Sequence, residues 1–576
     1  MFSSDVPLPL WHCQHAGRWL LLGGLLVAAC SSQSTAPTAP PVTVDCSGQS
    51  PLALAPGEHA VLDPAGTHDC LRLPAAGGNG AEYLVVALST TGQVTTTGIS
   101  GSYRFAAGPA TAAALQPEAG KRPPSVAAAP PSTAALFHAM LRERGRALVR
   151  EAATARALIA SRAPGVVTAP AVGSQRSFLV CGNATCGTTV TVTATASHVG
   201  PHGVIYIDNA APAGGYTQAE LDRLGGLFDA YMYPIDTTAF GRETDIDGNG
   251  AVAVLLSPAV NHLSGNCNST GSVIAGFFFP DDLIPGSFGS NSGEVFYGLV
   301  PDPANPTCTI THDFALSFIG PTFLHEFQHM ISFGRHVLLP PVASNSEDNW
   351  LDEGLSRFAE ELGGREIPDS FCAPQTCRSE FPNGDLNNAF EYLDKNTLEA
   401  SPLIEADNID GTLAQNGANW LVVRWLADHF ATDSILGTNL TRALDGADNP
   451  GGTVLTGSTN VATITGADFS TLIGEWQLAN YLTAVPGFVE SSGRLRYKSV
   501  NLASIFITAA GYYPLQPDSL ASGSYVHSGI LRQGSGRHLL IGQPPSGPGV
   551  DVALTDPTGA GLGTTLIARI AVARIR

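Results

Sequence analysis

Residues 322–331 read TFLHEFQHMI, and the spacing of their apolar side chains and histidines predicts a helix. Pro321 and the glycine before it favour a helix start there, because proline fits the first helical turn. His325 and His329 are four positions apart, so on a helix both imidazoles can reach one ion. Glu326, beside the first histidine, could take a proton from a metal-bound water. Two histidines at the surface or satisfied in a core are the alternative interpretation.

A second buried helix is predicted from NWLDEGLSRFAE at residues 349–360, because its apolar residues recur at helical spacing. A catalytic zinc takes three protein ligands and leaves one position to water. Glu353 is the predicted third ligand, since an unpaired carboxylate on a buried helix is costly. A salt bridge from Glu353 to Arg357 is the alternative. Asp352 and Glu360 are weaker ligand candidates, and either could instead hold the second nitrogen of a ligand histidine.

The blocks HEFQHM and WLDEGLSRFAEEL resemble the hyicolysin family of gluzincin metallopeptidases. The resemblance implies an α+β, gluzincin-like metallopeptidase domain that contains the HExxH helix. It also implies one zinc per chain held by His325, His329 and Glu353, with Glu326 as general base and with protein or peptide substrates. Weaker similarities extend it over residues 172–487, at 245–250, 276–278, 291–297, 417–418 and 473–476.

The sequence offers several candidates for the group that would stabilise the transition state. Many members of that family have a tyrosine just before the Gly-Ala pair that starts a later helix, and this chain has Asn416 there. A tetrahedral intermediate needs a second electrophile opposite the metal. Tyr392, Tyr297, His336 and Asn416 are the candidates, and packing or surface roles are the alternative for each.

The run DIDGNG at residues 245–250 begins like a calcium loop. An EF-hand would need a glutamate at its twelfth position, where this chain has Leu256, and a helix afterwards instead of a strand. We therefore favour a tight turn that leads into a strand. Calcium bound near Asp245, Asp247 and Asn249 in another geometry is the alternative.

The first residues of the chain are predicted to be an export signal. Arg18 precedes an apolar run that is too short to span a bilayer. The run ends in Val-Ala-Ala before Cys30, which resembles the lipobox of bacterial lipoproteins and implies that Cys30 is lipidated. An ordinary secretory signal cut near Ala29 is the alternative. The expected location is extracytoplasmic, either anchored by lipid to the bacterial outer membrane or cell surface, with Ser31 favouring the outer membrane, or secreted.

Eight cysteines remain besides Cys13 and Cys30, an even number that suits structural disulfides in an oxidising compartment. Two pairs are close in sequence and two others are natural partners: Cys181 with Cys186, Cys372 with Cys377, Cys46 with Cys70, and Cys267 with Cys308. The sequence leaves this connectivity open.

Composition divides the chain into six segments. Ser/Thr/Ala/Pro-rich residues predict a tether, a second Ala/Pro-rich run predicts a linker, and residues 133–161 suit an amphipathic helix that serves as a spacer or a pro-segment. Alternating apolar runs predict small all-β modules at both ends of the metallopeptidase domain. The predicted segments are the signal 1–29, tether 30–45, β module 46–108, linker and helix 109–171, metallopeptidase domain 172–487 and C-terminal β module 488–576.

The overall composition excludes several classes of function. At 576 residues and 44% hydrophobic residues the chain can form several buried cores. A net charge of −20 argues against nucleic acid or an anionic membrane surface as a partner, so the lipid anchor is the only expected membrane contact.

We therefore expect an exported zinc metalloendopeptidase. The alternative is a catalytically silent surface lipoprotein that uses a protease-like fold for binding, and a third interpretation is a zinc hydrolase of non-peptide amides. Retention of both histidines and both glutamates favours the first, since a degenerate site would have lost at least one of them.

Overall fold

A computed structural model describes residues 44, 46, 48–64, 70–109, 132–161, 170–339, 345–404, 412–433, 436–448 and 454–576. The predicted signal, Cys13, the lipidation residue Cys30 and most of the tether lie outside the described residues. Among the described residues, no helix combines the length and the hydropathy needed to cross a membrane.

Fifteen strands are formed within the described residues. They are β1 (His59–Leu62), β2 (Cys70–Leu73), β3 (Ala81–Ser89), β4 (Ser100–Pro109), β5 (Gln175–Cys181), β6 (Thr189–Val199), β7 (Gly203–Asp208), β8 (Val252–Leu256), β9 (Gly276–Phe278), β10 (Val295–Gly298), β11 (Asp518–Leu520), β12 (Tyr525–Arg532), β13 (Gly536–Gln543), β14 (Val550–Thr555) and β15 (Ala568–Arg574).

The same part of the chain forms sixteen α-helices. They are α1 (Thr133–Leu148), α2 (Ala153–Ser161), α3 (Gln218–Leu227), α4 (Tyr233–Ala239), α5 (Pro258–Leu263), α6 (Cys267–Thr270), α7 (His312–Phe333), α8 (Asn349–Glu366), α9 (Cys377–Glu380), α10 (Asn383–Tyr392), α11 (Lys395–Ala400), α12 (Leu413–Phe430), α13 (Thr438–Leu444), α14 (Gly457–Thr465), α15 (Phe469–Leu482) and α16 (Leu502–Ala510). The predicted α+β class is confirmed.

A six-stranded sheet with the order β5-β6-β7-β8-β10-β9 supports the central region. β8 pairs in parallel with β7 and β10, and all five of its residues are buried, as expected for a parallel strand covered on both faces. β9 pairs antiparallel with β10 and forms the edge of the sheet next to α7. This edge strand therefore borders the helix that carries the two histidines.

Helix α7 begins earlier than the sequence predicts. Thr311 caps it by accepting a hydrogen bond from Phe314 N, and Pro321 lies inside the helix instead of in its first turn. The predicted start at Pro321 is therefore wrong. Ala315 and Ile319 are buried and extend the apolar face towards the N-terminus, so packing holds the helix together across a residue that cannot donate a backbone hydrogen bond.

Helices α8, α12 and α10 pack closely because glycines lie at their crossings. A Cβ atom added at Gly354 would lie 2.7 Å from the carbonyl oxygen of Asn419, and one added at Gly417 would lie 2.3 Å from the backbone of Asn388. The glycine that follows Glu353 thus allows α12 to approach α8. The core around these helices contains Trp350, Leu351, Leu355, Phe358, Trp420, Trp425 and Trp476.

Strands from both ends of the chain form one β-sandwich. Its sheets have the orders β1-β15-β3-β13-β11 and β12-β4-β14-β2, and both contribute side chains to one shared core. The structure thus joins the two β modules that the sequence places at residues 46–108 and 488–576. Each segment alone would leave long edges and an apolar face uncovered. Residues Leu495, Leu502 and Leu515 pack in the helical core instead, before the first C-terminal strand begins.

The four disulfides that the sequence pairs are formed: Cys46–Cys70, Cys181–Cys186, Cys267–Cys308 and Cys372–Cys377. The predicted amphipathic segment 133–161 consists of α1 and α2. Phe137 and Leu141 of α1 are buried against the sheet region, and Ala155 of α2 enters the main core. This segment is therefore packed onto the rest of the molecule instead of spacing two units apart.

Candidate metal centre and cleft

Helix α7 presents both histidines towards α8. Phe323, Phe327 and Met330 lie in the core and fix the rotation of the helix. The rings of His325 and His329 then share one side, with their Nε2 atoms 3.1 Å apart. One turn of helix therefore places the two Nε2 atoms next to each other, where both can face one ion.

Helix α8 brings the carboxylate of Glu353 to that point. Its oxygens lie 3.5 Å from His325 Nε2 and 3.6 Å from His329 Nε2, and the three possible ligand atoms lie within 4.8 Å of one another. Ligands about 2.0–2.2 Å from a tetrahedral zinc stand about 3.3–3.6 Å apart. The donor types and their separations therefore fit a zinc ion.

Two further carboxylates on α8 hold the far nitrogens of the histidines. His325 Nδ1 lies 2.8 Å from Glu360 Oε1, and His329 Nδ1 lies 2.9 Å from Asp352 Oδ2. A carboxylate at Nδ1 keeps the proton there, so the lone pair of Nε2 points to the shared centre. Asp352 and Glu360 thus contact the second nitrogens of the two histidines, which is the alternative to metal ligation that the sequence suggests for them.

Glu326 is buried next to this centre. Its Oε2 accepts a hydrogen bond from the backbone amide of Phe278 at 2.9 Å, so the edge strand β9 fixes the carboxylate. Phe278 is the last residue of β9, and its amide is used by α7 instead of by another strand. The arrangement leaves Oε1 as the oxygen that can exchange a proton with a bound molecule.

Burial and mutual charge set the ionisation of the centre. Burial lowers the pKa of His325 well below its usual value, and the neighbouring His329 adds to this effect. Burial alone would raise the pKa of Glu353, but the guanidinium of Arg142 and the nearby histidines lower it well below its usual value. Neutral imidazoles and an ionised Glu353 are the forms that bind a metal.

A cleft of about 1900 Å³ opens in front of the centre. His325, Glu326 and Glu353 lie on its wall, together with residues of α1, α10 and α12 and with Gly276 at the start of β9. The volume exceeds the roughly 300–1,000 Å³ of typical small-molecule pockets. The cleft is large enough for an extended chain of several residues.

The four candidate stabilisers are placed very differently. Tyr297 donates to Asp282 Oδ2 at 2.6 Å, and Tyr392 accepts from Gln477 Nε2 at 3.1 Å, so both hydroxyls are engaged away from the cleft. His336 is fully buried beside Glu347. Asn416 lies on the cleft wall at the start of α12. Of the four, Asn416 alone lies on the cleft wall.

Two residues of α1 that no sequence pattern identifies also reach the centre. The guanidinium of Arg142 is within hydrogen-bond distance of His329 Nε2, and its Nη2 lies 2.9 Å from Glu353 Oε1. His138 Nδ1 lies 3.8 Å from Glu326 Oε1. Neither residue belongs to a motif, and the amphipathic pattern of α1 was the only signal that it packs onto something.

The calcium-like run forms the expected turn before β8. Asn249 Oδ1 accepts from Ala251 N at 2.6 Å, so this oxygen closes the turn. Asp245 and Asp247 instead group with Glu294, whose carboxylate is buried at the start of β10. Asn249 is therefore replaced by Glu294 as the third possible oxygen ligand.

Comparison with known proteins gives one similarity in sequence. A stretch of 148 residues, 25% of this chain, is 30% identical to the neutral metalloprotease ShpI of Staphylococcus hyicus. The match covers 31% of that relative, so the chain spans about a third of its length. No protein-family model matches the chain. The similarity supports a metalloprotease relationship over part of the chain.

Two solved structures also align with part of the chain. One is an M1 zinc metallopeptidase from Deinococcus radiodurans, 17% identical, with a TM-score of 0.27 over 57% of this chain and 54% of that one. The other is a two-domain M1 zinc metallopeptidase bound to L-tryptophan, 16% identical, with a TM-score of 0.27 over 56% and 53%. Scores this low carry no argument about this chain.

Proposed function

We propose that this chain is a zinc metallopeptidase that hydrolyses peptide bonds. The observation that carries the proposal is the convergence of His325, His329 and Glu353 within 4.8 Å, beside Glu326 and at the wall of a large cleft. The partial similarity to a neutral metalloprotease supports the same class. His325, His329 and Glu353 would hold the ion, and Glu326 would act as the general base.

Zinc bound there would polarise a substrate carbonyl and lower the pKa of a bound water to about 7. The chain's own part is proton transfer and orientation. Glu326 Oε1 would accept the proton of the attacking water and return it to the leaving amine. The Phe278 amide keeps the other oxygen of Glu326 fixed, so the base does not turn away from the cleft. Asp352 and Glu360 keep the histidine rings aligned.

An endopeptidase is the form of the activity that we propose. The cleft is about 1900 Å³, which suits residues on both sides of the cut bond. Asn416 on its wall is the proposed stabiliser of the developing negative charge, since a neutral amide can donate hydrogen bonds there. Binding without catalysis is the other candidate, and the intact set of ligands and base disfavours it.

The central experiment compares Glu326→Gln with the wild-type protein. The variant should keep about one zinc per chain, because no ligand is removed, and should lose hydrolysis of casein and of a peptide library. Glu366→Gln is the matched control, because Glu366 is an exposed glutamate at the far end of α8. Internal cuts that disappear with a chelator would support endopeptidase action. Cleavage by Glu326→Gln at the wild-type rate would refute the proposed base.

We also propose export and lipid anchoring through Cys30. Four disulfides are typical of an oxidising compartment and support export. Labelling with radioactive palmitate in a bacterial host should mark the wild-type protein and not Cys30→Ser. Equal labelling of both, or of neither, would contradict the anchor and leave the enzymatic proposal unaffected.

A second cation at Asp245, Asp247 and Glu294 is a separate proposal, with calcium as the ion that three carboxylates suit. Glu294 is 2% exposed, and among the described residues none donates a hydrogen bond to its Oε2. Burial raises the pKa of Glu294 to about 7, so a nearby cation would stabilise its ionised form. Calcium should raise the melting temperature of the wild-type protein and not of Glu294→Gln. An equal shift in both would exclude this site.

A further inference from the structure

Helix α1 lies directly on the proposed catalytic machinery. Through Arg142 it contacts the ligand cage, which is formed by the side chains of His325, His329 and Glu353. Through His138 it reaches the general base Glu326. It also packs on the edge strand β9, because Phe137 contacts Phe277 edge-on with ring centroids 5.0 Å apart. One helix from outside the motif-bearing region therefore touches all three parts of the site.

Arg142 contacts the ligand atoms of two of the three possible metal-binding side chains. Its Nη2 is within hydrogen-bond distance of His329 Nε2, and Nη2 and Nε lie 2.9 and 3.2 Å from Glu353 Oε1. The Nε2 lone pair of His329 can accept an N–H or bind a metal, but it cannot do both. A guanidinium and a divalent cation at the same point also repel each other. Arg142 in this position and a bound metal are therefore mutually exclusive.

The guanidinium is also a chemically suitable occupant of the cage. The side chain of Arg142 is 8% exposed, and Asp352 Oδ2 lies 3.7 Å from its Nε, in addition to the bonds with Glu353. Buried carboxylates without a cation are costly, and a paired arginine offsets this cost. The cage is therefore satisfied without metal when α1 is docked.

Other contacts fix the rest of α1 on the surface. Arg144 makes a two-pronged ion pair with Asp281, which is fully buried just after β9. Arg146 Nη1 donates to Asn349 Oδ1 at the start of α8, at 2.8 Å. At the other end, Ala134 N donates to Ser272 Oγ at 3.0 Å. Phe137 and Leu141 of α1 are buried as well, so displacement of α1 breaks both these polar contacts and apolar packing, and the binding energy of zinc must offset that loss.

We propose that α1 is an internal inhibitory segment that keeps metal out of the catalytic centre until it is displaced. The inference rests on the proposed function and deepens it. With α1 docked, Arg142 pairs with His329 and Glu353, and His138 contacts the base. Metal binding at all three ligands therefore requires α1 to leave this position.

The first test measures zinc affinity by competition with a chromophoric chelator, in the full chain carrying Glu326→Gln so that no hydrolysis interferes. Arg142→Ala should bind zinc at least about tenfold more tightly, because zinc would no longer compete with the Arg142 guanidinium for His329 and Glu353. Arg150→Ala, which removes an exposed arginine just after α1, is the control and should match the parent. Unchanged or weaker zinc binding by Arg142→Ala would overturn the inference.

The second test needs no substitution in α1, so it does not depend on how a variant folds. Hydrogen exchange of residues 133–148 is followed in the wild-type chain as zinc is added. We expect the amides of α1 to exchange faster once zinc is bound, while α7 and α8 become more protected. Undiminished protection of α1 in the zinc-loaded protein, together with full peptidase activity, would show that α1 is a permanent wall of the cleft.

The two proposals fail in different ways. If neither the parent nor Arg142→Ala takes up zinc, the metal centre itself is refuted. If both bind zinc equally well and the wild-type chain cleaves peptides, the enzyme stands and the inhibitory role of α1 is refuted.

Discussion

Asp352→Asn tests how much the support of His329 contributes to metal binding. Asp352 Oδ2 lies 2.9 Å from His329 Nδ1, and its side chain is 13% exposed, so solvent screens the contact little. A hydrogen bond to a charged group contributes about 1.5–3 kcal/mol. This energy corresponds to about 10- to 100-fold in a binding constant.

The asparagine keeps a carbonyl acceptor of the same shape and loses the charge. We therefore expect zinc affinity to fall about tenfold for Asp352→Asn and about 100-fold for Asp352→Ala, the range seen for outer partners of metal ligands. At saturating zinc, kcat should fall less than the affinity does, because all three ligands and Glu326 remain. Chelator competition gives the dissociation constant, and peptide hydrolysis at saturating zinc gives kcat.

Arg142 complicates this measurement, because Asp352 also lies 3.7 Å from Arg142 Nε. Loss of the carboxylate would weaken the docking of α1 and so favour zinc. The comparison is therefore repeated in an Arg142→Ala background, where only the effect on His329 remains. Glu366→Gln serves as the control for charge loss on α8. A double variant that binds zinc as tightly as Arg142→Ala alone would refute the supporting role of Asp352.

Two further predictions concern stability. Burial alone would lower the pKa of His336, but Glu347 at 3.4 Å outweighs this effect and raises the pKa to about 9. The contribution of protonated His336 to folding stability is therefore complete below about pH 6.5 and is lost as the pH rises through about 9. The melting temperature should thus fall from pH 7.5 to 9.5 in the wild type and fall less in His336→Gln, and parallel curves would exclude this pair as the cause. The Cys46–Cys70 disulfide closes a loop with a sequence separation of 24, so the double serine variant should lose about 3 kcal/mol of unfolding free energy in denaturant titrations, and no loss would show that the sandwich holds this segment unaided.

The local parts of the site could be predicted from sequence because their geometry is local. His325 and His329 share a face on any helix, since side chains four positions apart project together. The apolar spacing of residues 349–360 likewise required a buried helix and placed Glu353 on it. The pairings Cys181–Cys186 and Cys372–Cys377 needed only short loops to close.

Contacts between residues that are distant in sequence could not be predicted in this way. Pro321 looked like a helix start in the sequence. In the structure α7 begins at His312, because tertiary packing of the residues before Pro321 extends the helix. Tyr297 and Tyr392 remained plausible near the metal until their hydroxyl partners were known. Asn249 looked like a ligand because Glu294, which groups with Asp245 and Asp247, follows much later in the chain.

The sequence by itself determined the α+β class, the two helices of the site and the identity of the proposed metal-binding side chains through short periodic patterns. Only the tertiary structure decided that strands from both ends form one sandwich, that the Phe278 amide fixes Glu326, and that Arg142 enters the ligand cage. The physical reason is the range of the interactions. Periodicity records which face of an element is buried, whereas long-range hydrogen bonds and ion pairs depend on which elements come to cover that face.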